Sequence, residues 1–115
     1  MKASIAGFIL RAADKAVTAD FYSQLGLGVR EHEHGGPLHF EVTGVSPDFV
    51  VEMYKKTDRF NVDALMVEVG SIDTALDVAK KFGIFGKTEM KEAADMKFIY
   101  ITDPDGRDVM LIEKK

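Results

Sequence analysis

The chain has no cysteine, no tryptophan and only three prolines. Without cysteine it can build no disulfide framework, no thiolate metal site and no cysteine nucleophile, and it suits a reducing, cytoplasmic setting. It also lacks a long apolar run. The opening stretch, from Met1 through Ile5, Phe8 and Leu10 to Arg11, is too short for a membrane span and has no small-residue cleavage site, so it reads as the first strand of a soluble domain. Basic clusters stop at pairs such as Lys55-Lys56, and the net charge is -4. That balance argues against a nucleic-acid or anionic-membrane partner and leaves a small molecule or another protein.

What is present is enough for one α+β domain. The 115 residues are 46% hydrophobic, which suits a single modest core with no room for a second full domain. Residues 4–10 alternate as a strand. Asp14 then opens a helical stretch in which Val17, Phe21, Tyr22 and Leu25 recur at helical spacing and Gly26 closes it. Three extended stretches follow at 29–34, 38–42 and 49–54, separated by Gly35-Gly36-Pro37 and Gly44-Val45-Ser46-Pro47-Asp48, whose turn chemistry suits a meander.

After a polar link the order repeats. Residues 64–69 read as a strand and 72–82 as a helix with Leu76, Val78, Ala79 and Phe82 toward the core and Gly83 as its stop, before short strands at 85–90, 97–102 and 109–113. The pattern is therefore βαβββ twice, with module one at about 1–56 and module two at about 60–115. Leu25-Gly26-Leu27 and Phe82-Gly83-Ile84 align the two modules. Each module has one helix for one sheet face, so two modules or two chains must close a curved mixed sheet around a shared cavity. A ferredoxin-like sandwich is the competing arrangement. Asp103-Pro104-Asp105-Gly106 is a tight turn between the last two strands, since proline presets φ and glycine accepts a positive φ.

These elements, in their order, resemble the vicinal oxygen chelate superfamily of glyoxalases, bleomycin-resistance proteins and extradiol dioxygenases. The resemblance rests on Asp14 with Phe21-Tyr22, Leu25-Gly26-Leu27, Val51-Glu52-Met53-Tyr54, Val69 with Ile72-Asp73-Thr74-Ala75-Leu76, and Asp103-Pro104-Asp105-Gly106 with Val109-Met110-Leu111. It implies a divalent-metal site with two histidines and two glutamates. Here the histidine positions are held by Gly7 and Ala64, the first glutamate is Glu52, and Met110 stands where the second would be. A thioether is a poor ligand for such ions and a lone carboxylate cannot hold one against water. The expectation is a degenerate metal site with no cofactor, and with room left where Gly7 and Ala64 replace larger ligands.

Strand alternation groups Ile5, Gly7, Ile9 and Arg11, then Val50, Glu52 and Tyr54, then Ala64, Met66 and Glu68, then Met110 and Ile112, as the cavity-lining faces. The opposite faces, with Phe8, Leu10, Phe49, Val51, Leu65, Val67 and Leu111, should pack under the helices. Glu52 is the candidate catalytic residue, because burial in an apolar pocket makes a carboxyl a usable base, unless Arg11 holds it ionised. His32 and His34 share a face with Arg30, and His39 shares another with Glu41. The simplest expectation for the three histidines is solvent exposure, and a rebuilt site using them with Glu52 is the alternative. The charged run 87–97 reads as a solvated loop and edge strand.

Taken with the resemblance, these features imply a non-catalytic small-molecule-binding protein, similar to the bleomycin-resistance branch but with Phe and Tyr in place of stacking tryptophan, and a homodimer. The alternative is a glyoxalase-like lyase or isomerase that uses Glu52 as base or a relocated divalent metal. A third possibility is a structural or regulatory domain whose own side chains fill its cavity.

Overall fold

The computed structural model describes residues 2–32, 38–43 and 48–115. Its elements run β1 (Ala3–Ala12), α1 (Lys15–Gln24), β2 (Val29–His32), β3 (His39–Val42), β4 (Val50–Lys55), β5 (Ala64–Val69), α2 (Ile72–Lys80), β6 (Lys91–Glu92), β7 (Met96–Thr102) and β8 (Asp108–Lys114). This is the α+β pattern βαβββ, twice. The chain divides into one unit of Gly7–Asp63 and another of Ala64–Lys115 with the first residues of β1. Within the first unit the strand order is β2-β3-β4-β1, and within the second it is β5-β8-β7-β6. In both, the first and last strands of the module run parallel, β1 with β4 and β5 with β8, and the other pairs run antiparallel.

The local chemistry explains why the helices begin and end where they do. Asp14 caps α1, its carboxylate accepting the backbone N–H groups of Ala16 and Val17. Ser71 caps α2 by accepting the N–H of Thr74. Both helices close with the paired bonds of a Schellman turn: Gly26 N–H to Ser23 and Leu27 N–H to Tyr22 in α1, Gly83 N–H to Lys80 and Ile84 N–H to Ala79 in α2. The two glycines, at φ 103° and 72°, occupy the left-handed position that this closure requires.

Packing under the two helices differs. On α2, Ile72, Ala75 and Ala79 are buried with Val69, Ile99, Ile101 and Leu111, and Leu76 and Val67 pack against them. That stripe at i, i+3, i+4 and i+7 is centred away from Val78 and Phe82, which are exposed rather than in the core. On α1 only Ala19 is buried. It meets Ala12 and Met53, with Leu10, Tyr22, Val29 and Phe40 around them, while Val17, Phe21 and Leu25 face outward at 65%, 57% and 64% exposure. Phe8 also lies partly in solvent, edge to face with Phe49 at 5.5 Å.

The sixth strand departs from the sequence expectation. It is a two-residue pairing of Lys91 and Glu92 with Phe98 and Lys97, not a strand over 85–90. The backbone N–H groups of Lys87 and Thr88 both donate to the Tyr100 carbonyl, so this stretch bonds to β7 at one residue without forming a ladder. The Asp103 turn forms as expected: Gly106 N–H donates to the Asp103 carbonyl at 3.0 Å, and Asp103 Oδ1 accepts the N–H groups of Asp105 and Arg107. Those bonds, led by the one from Arg107, hold the Asp103 carboxyl below its ordinary range. Among the described residues no helix is long and apolar enough to cross a membrane.

Candidate functional site

The strand register of the first unit gathers its polar side chains on one face. His32 is opposite His39 and Arg30 opposite Glu41 across β2 and β3. Glu41 is opposite Glu52 across β3 and β4, and Ile9 and Arg11 lie opposite Glu52 and Tyr54 across β1 and β4. Directly opposed residues point to the same side of a sheet. His39 and Glu41 therefore share the face of Arg30 and His32, which corrects the separate faces read from the sequence. The β2–β3 register sets this parity, and strand alternation alone does not supply it. His34 lies outside the described residues.

His39 is not solvent-exposed. Its side chain is 1% exposed, and Nε2 lies 2.8 Å from Oε2 of Glu52, itself 11% exposed. The imidazole stacks on Tyr54 at 4.6 Å and 19° and meets His32 edge to face at 5.6 Å. Beyond Tyr54, the Arg11 guanidinium lies over the Tyr54 ring at 5.0 Å and over the Phe60 ring at 5.1 Å. Arg11 also donates from Nη1 to the Lys55 carbonyl at 3.3 Å, and so is held in place at the strand end. At the other flank Glu41 receives Arg30 at 3.0 Å on Oε1, and its Oε2 lies 3.4 Å from His32 Nδ1. The first unit thus carries a row of charged, imidazole and aromatic groups from Arg30 to Arg11. Glu52 sits next to an imidazole, not to Arg11, in this row.

The remaining sequence candidates are distributed as follows. Ile9 is 1% exposed. Val50 and Ile5 are exposed at 36% and 55%. In the second unit Ala64, Met66, Met110 and Ile112 are buried, and Glu68 is half-buried with Lys114 at 3.2 Å. Gly7 does not leave room for a ligand. A Cβ built there would sit 1.8 Å from the Val50 carbonyl oxygen, because the parallel pairing of β1 and β4 brings the two backbones together at this point.

The metal site that the resemblance implies does not fit this chain. Gly7 offers no donor and no space for one, Ala64 offers no donor, Met110 offers a soft thioether, and Glu52 is engaged with His39.

Two features of the second unit escaped the sequence reading. Lys87, expected in a solvated run, turns inward to place Nζ 2.7 Å from Asp108 Oδ1, and the Asp108 side chain is 1% exposed. An apolar groove of about 310 Å³ also opens beside α2, lined by Val78, Phe82, Ile84, Ile101, Pro104 and Val109 among others. It lies on the helix-bearing side. The exposed Val78 and Phe82, assigned to the core from spacing, are the signal that marks it.

No protein-family model matches the sequence, and comparison with curated proteins gives no match. Solved structures do. A hypothetical protein from Bacillus halodurans C-125 superposes with a TM-score of 0.68 at 12% identity, over 100% of this chain and 96% of that one. A methylmalonyl-CoA epimerase from Mycobacterium tuberculosis gives 0.66 at 15% identity, over 96% and 87%. A glyoxalase/bleomycin resistance protein/dioxygenase superfamily member from Vibrio splendidus 12B01 gives 0.66 at 17% identity, over 97% and 99%. Identities at this level establish a shared fold.

Proposed function

We propose that this chain, which has the fold of the vicinal oxygen chelate superfamily, is a non-catalytic small-molecule-binding protein whose site is the polar face of the first unit. The observation that carries this reading is the guanidinium of Arg11 laid over two aromatic rings, Tyr54 and Phe60, with Tyr54 in turn stacked on a buried imidazole. A guanidinium fixed beside aromatic rings favours an organic ligand with a carboxylate or other anionic edge. Gly7, Ala64 and Met110 support a role without the chelating metal of the superfamily.

A thermal-shift and calorimetric screen of organic carboxylates tests the reading. At least one should raise the unfolding temperature, and Arg11→Ala should weaken that ligand by tenfold or more, about 1.4 kcal/mol. No shift from any such compound, or one that Arg11→Ala leaves intact, would count against it. A homodimer belongs to the same reading, with the outward Val17, Phe21 and Leu25 of α1 as the apolar surface it would cover. Sedimentation giving only monomer removes that part.

The 2.8 Å contact of His39 with Glu52 favours one second reading, an isomerase or lyase in which Glu52 abstracts a proton beside a carbonyl and His39 relays it. Solvent deuterium uptake into such a substrate, lost in Glu52→Gln, would establish it. Uptake that persists in the variant would remove it.

A further inference from the structure

Three side chains of the polar face have the composition of a metal site that the ordinary positions of this fold no longer supply. We infer that His32, His39 and Glu41 bind one divalent transition-metal ion on β2 and β3, with Glu52 as the positioning residue behind His39.

The donor set comes first. Two imidazoles and one carboxylate suit zinc, iron, cobalt or nickel and leave coordination positions open, whereas magnesium and calcium want oxygen ligands alone. The spacing agrees. Bonds of ~2.1 Å at tetrahedral angles set neighbouring donor atoms ~3.4 Å apart, and His32 Nδ1 and Glu41 Oε2 stand at 3.4 Å. One donor atom from each of the three residues lies within 4.8 Å of the others, so side-chain rotation of about an ångström closes the set.

The surroundings also agree. Arg30 engages Oε1 of Glu41 and leaves Oε2 on the His32 side, at the cost of a nearby positive charge. A carboxylate held against one imidazole nitrogen fixes the tautomer in which the other can take a metal. Glu52 stands in that relation to His39. Exposure is graded, from 1% at the His39 side chain to 23% at Glu41 and 32% at His32. The site therefore has a buried floor and a mouth open to solvent, which is where a bound ion would meet water or a ligand atom. The inference does not rest on the small-molecule reading, because its test uses metal ions alone.

Wild-type protein stripped by a chelator would be titrated calorimetrically with Zn²⁺ and Co²⁺ near neutral pH, with Mg²⁺ as the contrast. The expected result is one ion per chain for Zn²⁺ and Co²⁺, a visible Co²⁺ absorption band, and no heat from Mg²⁺. His32→Gln and Glu41→Gln, both at partly exposed positions, should keep the fold by circular dichroism and each weaken binding by ~30-fold or more, and Glu52→Gln by ~10-fold. His39 is too buried for a clean deletion, so these variants carry the test. Absence of Zn²⁺ binding at about millimolar ion, or binding that His32→Gln and Glu41→Gln leave unchanged, overturns the site.

Discussion

The first unit and the second are built on one plan and carry different side chains on their sheets. Each module pairs its first and last strands in parallel, caps its helix with Asp14 or Ser71, and closes it on a glycine through the same two hydrogen bonds. Yet β3 and β4 carry His39, Glu41, Glu52 and Tyr54 together, where β5 and β8 carry Ala64, Met66, Met110 and Ile112 in the same register as Glu68 and Asp108. The repeated part is backbone chemistry, which any sequence with the right caps and periodicity satisfies. The unrepeated part is side-chain chemistry: imidazoles, a carboxylate and stacked rings together in the first unit, the Lys87–Asp108 pair beside apolar residues in the second. A repeat can therefore keep its fold while the side chains on its sheets diverge.

The largest expected effect lies where the two modules differ by one methyl group. Gly7→Ala should cost on the order of 4 kcal/mol, the severe end of overpacking, because the new Cβ would meet the Val50 carbonyl. Chemical denaturation measures it. A loss under about 1 kcal/mol would show that β1 and β4 can part, and that the position is free to regain a ligand.

Next are the buried charge contacts, one in each unit. Lys87→Met removes the cation from Asp108, whose Oδ2 has no hydrogen-bond partner among the described residues, and should cost about 3 kcal/mol. Glu52→Gln keeps a polar partner for His39 and should cost about 1 kcal/mol. Equal losses would erase the contrast between a structural pair in one unit and an adaptable one in the other.

The helices give a third comparison. Ile72 and Val17 lie in the first turns of α2 and α1, and they are 1% and 65% exposed. Ile72→Ala should cost about 2 kcal/mol, while Val17→Ala should stay within about 0.5 kcal/mol. A similar loss at both would mean that α1 is docked as firmly as α2.

The smallest effect is a pH dependence. Glu113 accepts the Ile72 N–H at 2.7 Å, and that bond, then Lys97, holds its carboxyl below the ordinary value of 4.5. A carboxyl lowered in the folded state contributes stability above its unfolded value, and that contribution is lost as pH falls through the folded one. Unfolding temperature should therefore drop as pH falls below about 4.5, and Glu113→Gln should flatten that drop. An unchanged acid profile in the variant would show that Glu113 does not tie β8 to α2.

Much of the architecture was legible in the sequence because it is written in local signals. The helix starts at Asp14 and near Ile72, the stops at Gly26 and Gly83, and the Asp103-Pro104-Asp105-Gly106 reversal each depend on a few adjacent residues. The failures share a cause. Residues 85–90 have a strand-like composition, but Lys87 is drawn to Asp108 and away from the ladder. Val78 and Phe82 have core-like spacing, but the stripe that docks is the one carrying the small Ala75 and Ala79. For the candidate site, Glu52 and Arg11 were identified, but the placement of His39 was not, because its neighbours come from other strands.

The sequence by itself determined the α+β class and the doubled βαβββ order. Both follow from residue identity and short-range periodicity. Tertiary structure alone decided that His39 is buried against Glu52, that His32 and Glu41 share its face, and that Gly7 has no room for a side chain. Each of these depends on which residues stand opposite one another across strands, and a one-residue slip in that pairing would turn every side chain to the other face.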